Sequence, residues 1–221
     1  MRILALDTTS EVGSLAIRSS CETVAELTLQ SAEGFAHLIF PAIEQILAEG
    51  RVRLPEIDCF AAASGPGSFT GVRVGLSAVK GLAEALGKRV AGVSNLRALS
   101  SFGNLPLRAV SLDARRGQLY AAVYNHELEP VAPEAVLKLA DWLETLHEPT
   151  YQFISSPNTL PLTGTRFADM PFLQAPHALA AAIALCAERS DWLDPAALDA
   201  NYVRRSDAEL FWKESVSEPR P

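Results

Sequence analysis

The chain has 221 residues, enough for one large domain or two small ones, each with its own core. A net charge of −7, with basic clusters that are short (51–53, 115–116 and 204–205), excludes an unaided grip on nucleic acid. Three scattered cysteines, Cys21, Cys59 and Cys186, with no Cys-x-x-Cys pair, fit a reduced cytoplasmic compartment. The opening MRILALDT turns acidic too soon for a signal peptide, and no apolar run approaches the roughly 20 residues of a bilayer span.

In chain order, residues 2–7, 13–18 and 23–29 read as three strands joined by short polar links, which fits an antiparallel start to a sheet. Residues 37–49 follow as a helix with Pro41 in its early part, where a missing N–H matters least. DCFAAASG is a buried strand that feeds a helix over 70–86, with Gly87 as its stop. A short strand over 88–93 and a short helix over 95–102 close this half. A second pattern starts near Leu107: strand, tight turn, strand, then a helical stretch over 133–146 and a strand over 151–155. Residues 157–176 read as loop with short strands, 178–188 as an Ala-rich buried helix, and the tail SVSEPRP as a fraying end.

The halves match in outline. ILALDTTSEVGSLAI and AVSLDARRGQLYAAV each have an apolar strand ending in Leu-Asp, a polar turn with Gly and a second apolar strand. Asp7 and Asp113 take corresponding places, so a duplicated α/β unit with a cleft between lobes is expected. Each aspartate has two readings: a ligand of hydrated magnesium beside a nucleotide, or a cap on its own hairpin turn.

The block SGPGSFTGVRVGL is a glycine turn that opens into a helix. It has neither the Lys of a Walker A loop nor the third Gly of a dinucleotide fingerprint. Ser68 or Thr70 can cap the orphan N–H groups of the helix start, and an anion there is the other reading. Val72, Leu76, Val79, Ala83 and Leu86 form a bulky stripe expected against the sheet. Gly71, Gly75, Ala78 and Leu82 form a mostly small stripe, and helix glycines at roughly 1 kcal/mol each call for a close neighbour. The first helix carries two apolar lines, Phe40, Ile43 and Leu47 beside Ile39, Ala42 and Ile46. Either both helices build an intermolecular bundle or both sit deep in the core.

His37, His126, His147 and His177 make no HxxxH or HExxH pair, and no G-x-S-x-G elbow is present, so neither a helix-face metal site nor a covalent nucleophile is expected.

LALDTTS, SGPGSFTGVRVGL, SLDARRGQLYAAVY and ANYVRRSDAE, in this order over nearly the whole chain, resemble the TsaB (YeaZ) family. The resemblance implies an actin/Hsp70-like (ribonuclease H-like) two-lobed α/β fold. Residues 1–105 would form an N-terminal lobe with the partner-binding helices. Residues 106–221 would form a C-terminal lobe, the last of them either packed back on the first lobe or disordered. The implied role is in making N6-threonylcarbamoyladenosine at position 37 of tRNA. Catalysis belongs there to a paralogue, TsaD, which carries an HxxxH metal pair; a TsaB-like chain is a non-catalytic dimerisation platform. A small ATPase, TsaE, joins the complex, and tRNA is reached only through it. Alone, such a chain forms a homodimer through N-terminal lobe helices, which places Ile39, Phe40, Ile43, Ile46, Gly71, Gly75, Ala78 and Leu82 at the interface. ATP or ADP with magnesium at the complex interface, near Asp7 and Asp113, is left open.

Two other functions stay in view. One is a small-molecule kinase or ATPase of the same fold, using Asp7 and Asp113 around Mg-ATP; the second half lacks the glycine-rich adenosine loop it would need. The other is a homodimeric interaction protein with no role on tRNA, in which Gly75→Leu breaks the dimer and leaves the fold intact.

Overall fold

A computed structural model describes residues 1–156 and 160–203. The pair Arg204 and Arg205 and the tail from Ser215 lie outside the described residues. The first half builds a mixed sheet. Strands β1 (Arg2–Asp7), β2 (Val12–Ser19) and β3 (Glu22–Gln30) form an antiparallel meander, with Asp7 opposite Ser14. Helix α1 (Ile39–Glu49) leads back to β4 (Cys59–Gly65), parallel to β1. Helix α2 (Phe69–Leu86) leads to β5 (Arg89–Ser94), parallel to β4, and α3 (Asn95–Ser100) follows. The strand order is β3-β2-β1-β4-β5.

The second half repeats this plan. β6 (Arg108–Asp113), β7 (Leu119–Tyr124) and β8 (Pro130–Leu137) are antiparallel; α4 (Leu139–Thr145), β9 (Gln152–Ser156), β10 (Phe172–Gln174) and α5 (Ala180–Glu188) follow. The order β8-β7-β6-β9-β10 matches the first sheet strand for strand, so the duplication expected from the two Leu-Asp hairpins is real at the level of topology. Residues 133–146 are not one helix. Residues 130–137 pair with β7, and only 139–145 are helical. β8 is an edge strand, where the missing N–H of Pro133 is tolerated, and the pairing overrides local helix preference.

Strand alternation separates the core into three layers. On β1, Leu4 and Leu6 face the outer cluster with α1 and α2, while Ile3 and Ala5 face an inner cluster. On β9, Ile154 joins the inner cluster and Phe153 an outer one with Trp142 of α4. Both sheets thus share one inner core, filled by α3 and α5. Helix α5 comes late in sequence yet packs on β1 and β2, so a cut at residue 105 divides the strands but not the layers. A partly buried ion pair, Arg18 Nε to Glu188 Oε2 at 2.8 Å, fixes α5 to β2. After α5 the chain runs back along the first lobe and ends, among described residues, beside the start of α2.

Candidate functional site: the strand-end cleft and the face of the long helix

The β1–β2 turn and the start of α2 fit together closely. Ser68 is the N-cap, its Oγ accepting from Gly71 N at 3.3 Å, while Ser68 N donates to Thr9 O at 2.8 Å. Thr8 Oγ1 donates to Gly71 O at 2.7 Å. A Cβ on Gly71 would lie 1.9 Å from Thr8 O, and one on Gly75 2.8 Å from Thr8 Oγ1. The two glycines therefore admit this chain's own hairpin, and no partner helix is needed to explain them. A Cβ on Gly67 would also lie 2.8 Å from Thr9. The helix start that could have taken an anion is filled by Thr8 and Thr9.

Asp7, fully buried, sits behind this contact. Its Oδ1 accepts from Thr9 N at 2.9 Å and Thr9 Oγ1 at 2.7 Å. Its Oδ2 is buried with no partner among the described residues. Burial pushes the carboxyl up from its ordinary value, against the two Thr9 bonds that pull it down. Asn95, at the start of α3, donates from Nδ2 to Thr9 Oγ1 at 2.5 Å, and its Oδ1 is also buried without a partner. Asp113 differs from Asp7. It is exposed, and its Oδ1 accepts from Arg115 N at 2.7 Å, capping a turn in which Arg115, Arg116 and Gly117 all have positive φ. An exposed ion pair, Arg115 to Glu11 at 3.5 Å, links the two hairpins. These residues fit a magnesium nucleotide in one respect only, the free oxygen of Asp7; the helix start is taken and Asp113 serves its own turn.

The expected interface residues fall into two groups. Ile39, Ile43 and Ile46 of α1 and Ala78 of α2 are buried in the outer core, and Gly71 and Gly75 lie under the hairpin. Leu82 is partly buried against that core. Phe40 stands apart at 56% exposure. The small glycine stripe of α2 is thus used within the chain, against Thr8, while the bulky stripe faces the outer core. The outer side of α2 carries a different small stripe, Ser77, Gly81 and Ala85, all exposed. A Cβ on Gly81 would meet none of the described residues within 4 Å. The spacing of four from Ser77 was present in the sequence, but nothing local distinguishes it from the buried stripe.

A second polar group went unread because 133–146 looks helical. Glu134 on β8 accepts from Tyr124 OH at 2.6 Å, from Ser94 Oγ and from Asn201 Nδ2 at 2.6 Å. Burial, then the neighbouring carboxylate, drives the Tyr124 phenol well above its ordinary value, so it serves as a donor. Among the described residues no group of three His, Cys, Asp or Glu side chains is placed to hold a metal. Nor is any helix among them long and apolar enough to cross a membrane.

Two sheets of one strand order, enclosing shared helices and each with a strand-end aspartate at its first hairpin, define a duplicated α/β protein of the actin/Hsp70-like class. Residues 29–198 match the family described as TsaD: tRNA N6-adenosine threonylcarbamoyltransferase. Similarity extends to the tRNA threonylcarbamoyladenosine biosynthesis protein TsaB of Bacillus subtilis, at 29% identity over 97% of this chain and 99% of that one. TsaB of Escherichia coli is 35% identical over 62% of this chain and 63% of its own. Among solved structures, YeaZ from Pseudomonas aeruginosa aligns with a TM-score of 0.72 at 23% identity, covering 91% of this chain and 99% of that one. The chain belongs to this threonylcarbamoyltransferase family, on its TsaB (YeaZ) branch.

Proposed function

We propose that this chain works in the biosynthesis of threonylcarbamoyladenosine in tRNA as a non-catalytic scaffold subunit. It would hold the catalytic paralogue TsaD through the outer face of α2 and the Phe40 side of α1, and pair with itself there when alone. TsaE would join that complex, and tRNA would be gripped chiefly by more basic partners, given the net charge of −7. Gly81 carries the reading. A glycine inside a helix costs roughly 1 kcal/mol relative to Ala. Gly71 and Gly75 repay that cost against Thr8, but among the described residues nothing lies within 4 Å of where a Cβ on Gly81 would stand. With Ser77 and Ala85 it leaves a small exposed stripe that another helix can approach, and Phe40 of α1 is exposed as well. The lack of an HxxxH pair agrees with a non-catalytic part. The test is reconstitution of tRNA modification with TsaD, TsaE and this chain or its Gly81→Leu variant. Wild type should co-elute with TsaD and support modification, and Gly81→Leu should do neither while keeping its fold. Equal modification without this chain would sink the proposal.

A second reading, a nucleotide-binding kinase or ATPase, rests on the partnerless Oδ2 of Asp7. Calorimetry with Mg-ATP decides it: tight binding lost in Asp7→Ala would establish it, and no binding would remove it.

A further inference from the structure

Glu134 joins parts of the molecule that are distant in sequence. Its Oε1 accepts from Tyr124 of β7 and from Ser94, the N-cap residue of α3, whose Oγ also takes Leu96 N at 3.2 Å. Its Oε2 accepts from Asn201. Asn201 in turn donates its backbone N–H to Ser64 O at 2.8 Å, at the end of β4. Residues 191–203 form a strap on the first lobe. Leu193 bridges Val90 on the free edge of β5. Leu198 is buried over Gly92, where a Cβ would come within 2.8 Å of Leu198 Cδ1. Tyr202 packs on Phe69 at 5.5 Å, and its OH accepts from Arg73 Nε at 3.1 Å. The strap therefore ends on the first turn of α2, and the acceptor that holds its end belongs to the other sheet.

We propose that Glu134 is a latch: a positioning residue of the second lobe that holds the C-terminal strap on the first lobe and thereby fixes the start of α2. A carboxylate offers only acceptors, so three donors from three segments must converge on it. If the second sheet shifts, Asn201 loses its charged acceptor while the contacts of Leu198 and Leu193 stay. The expected motion is local release of residues 199–203 rather than unfolding. This inference does not depend on the proposed function.

Hydrogen exchange on the full chain, read by mass spectrometry, tests it. Glu134→Ala should speed exchange of residues 199–203 and 65–72 about tenfold, equivalent to about 1.4 kcal/mol, with the centres of β1 and β4 unchanged. Asn201→Asp sets a second carboxylate against Glu134 and should release the strap to the same degree. Adding Glu134→Gln to Asn201→Asp gives the amide a carboxylate to donate to, and should bring exchange back to within about threefold of wild type. Unchanged strap exchange in Glu134→Ala, an equal rise across the whole chain, or failure of the double variant to recover would each overturn the latch.

Discussion

Ala is the better helix former, so Gly71→Ala and Gly81→Ala should both stabilise α2 by up to about 1 kcal/mol if propensity alone ruled. The structure predicts opposite signs. At Gly71 the new Cβ would lie 1.9 Å from Thr8 O, roughly 1.5 Å short of the ordinary 3.4 Å contact, and it would meet backbone rather than a flexible side-chain end. The β1–β2 hairpin must move away. That movement strains or breaks Ser68 N to Thr9 O and Thr8 Oγ1 to Gly71 O, at about 1 kcal/mol each. Overpacking adds about 1–3 kcal/mol. Against the propensity gain, the net effect is a loss of about 2–4 kcal/mol, a fall in Tm of the order of 10 °C for a chain of this size. At Gly81 none of the described residues lies within 4 Å of the new Cβ, so only the gain of up to about 1 kcal/mol remains. Urea denaturation followed by circular dichroism, with the slopes checked for equality, measures both. A Gly71→Ala protein as stable as wild type, or a Gly81→Ala protein less stable, would refute the assignment of the two faces.

Three further outcomes follow from buried groups. The carboxyl of Asp7 is held above its ordinary 3.8, so the folded chain keeps this proton to higher pH than the unfolded chain does. Its contribution to stability therefore falls as pH rises from 3.8 through the raised folded value, and Asp7→Asn should stabilise at pH 8 and hardly at all at pH 3.5; equal pH slopes for the two proteins would contradict this. Burial pushes the Cys59 thiol up to about 12 and the Cys186 thiol to about 11, whereas Cys21 is exposed, so a thiol reagent at pH 8 should label Cys21 alone until the chain is denatured. Removing Arg18 leaves the largely buried Glu188 carboxylate unpaired on α5, so Arg18→Ala should cost about 3 kcal/mol, a penalty that salt barely changes; a loss below about 0.5 kcal/mol would place the pair among ordinary surface bridges.

Much of the fold was legible because its signals are local. An apolar run marked β1 and alternation marked β2 and β3, the hydroxyls of Ser68 and Thr70 and then Gly87 marked the ends of α2, and the two Leu-Asp hairpins marked the duplication. What failed depended on distant partners. The sequence around Gly71 shows two small residues one turn apart, but only Thr8, 63 positions away, says that they face inward. Gly81 looks no different locally, and its meaning comes from an empty neighbourhood. Residues 133–146 misled because β8 owes its conformation to pairing with β7, and with that strand went any chance of seeing Glu134. Helix α5 reads as a buried Ala-rich helix but carries no mark of which sheet it covers. Asp7 and Asp113 look equivalent in sequence, yet one is sealed under the start of α2 and the other caps an open turn.

These placements bear on one another. A helix start that binds an anion needs free N–H groups and room in front of them. Here Ser68 N and Gly71 N are both engaged, by Thr9 O and Ser68 Oγ, and the room is filled by Thr8 and Thr9. Closing that end fixes the rotation of α2 about its axis, because Gly71 and Gly75 must stay under the hairpin. The same rotation turns Ser77, Gly81 and Ala85 to the outside. The small outer stripe and the blocked helix start are thus two results of one packing decision. A substitution that loosens the hairpin, such as Gly71→Ala, should therefore disturb the outer face as well as stability. Weaker co-elution of that variant with TsaD, under conditions where it remains folded, would separate this coupling from simple unfolding, and unaltered co-elution would show that the two ends of α2 act independently.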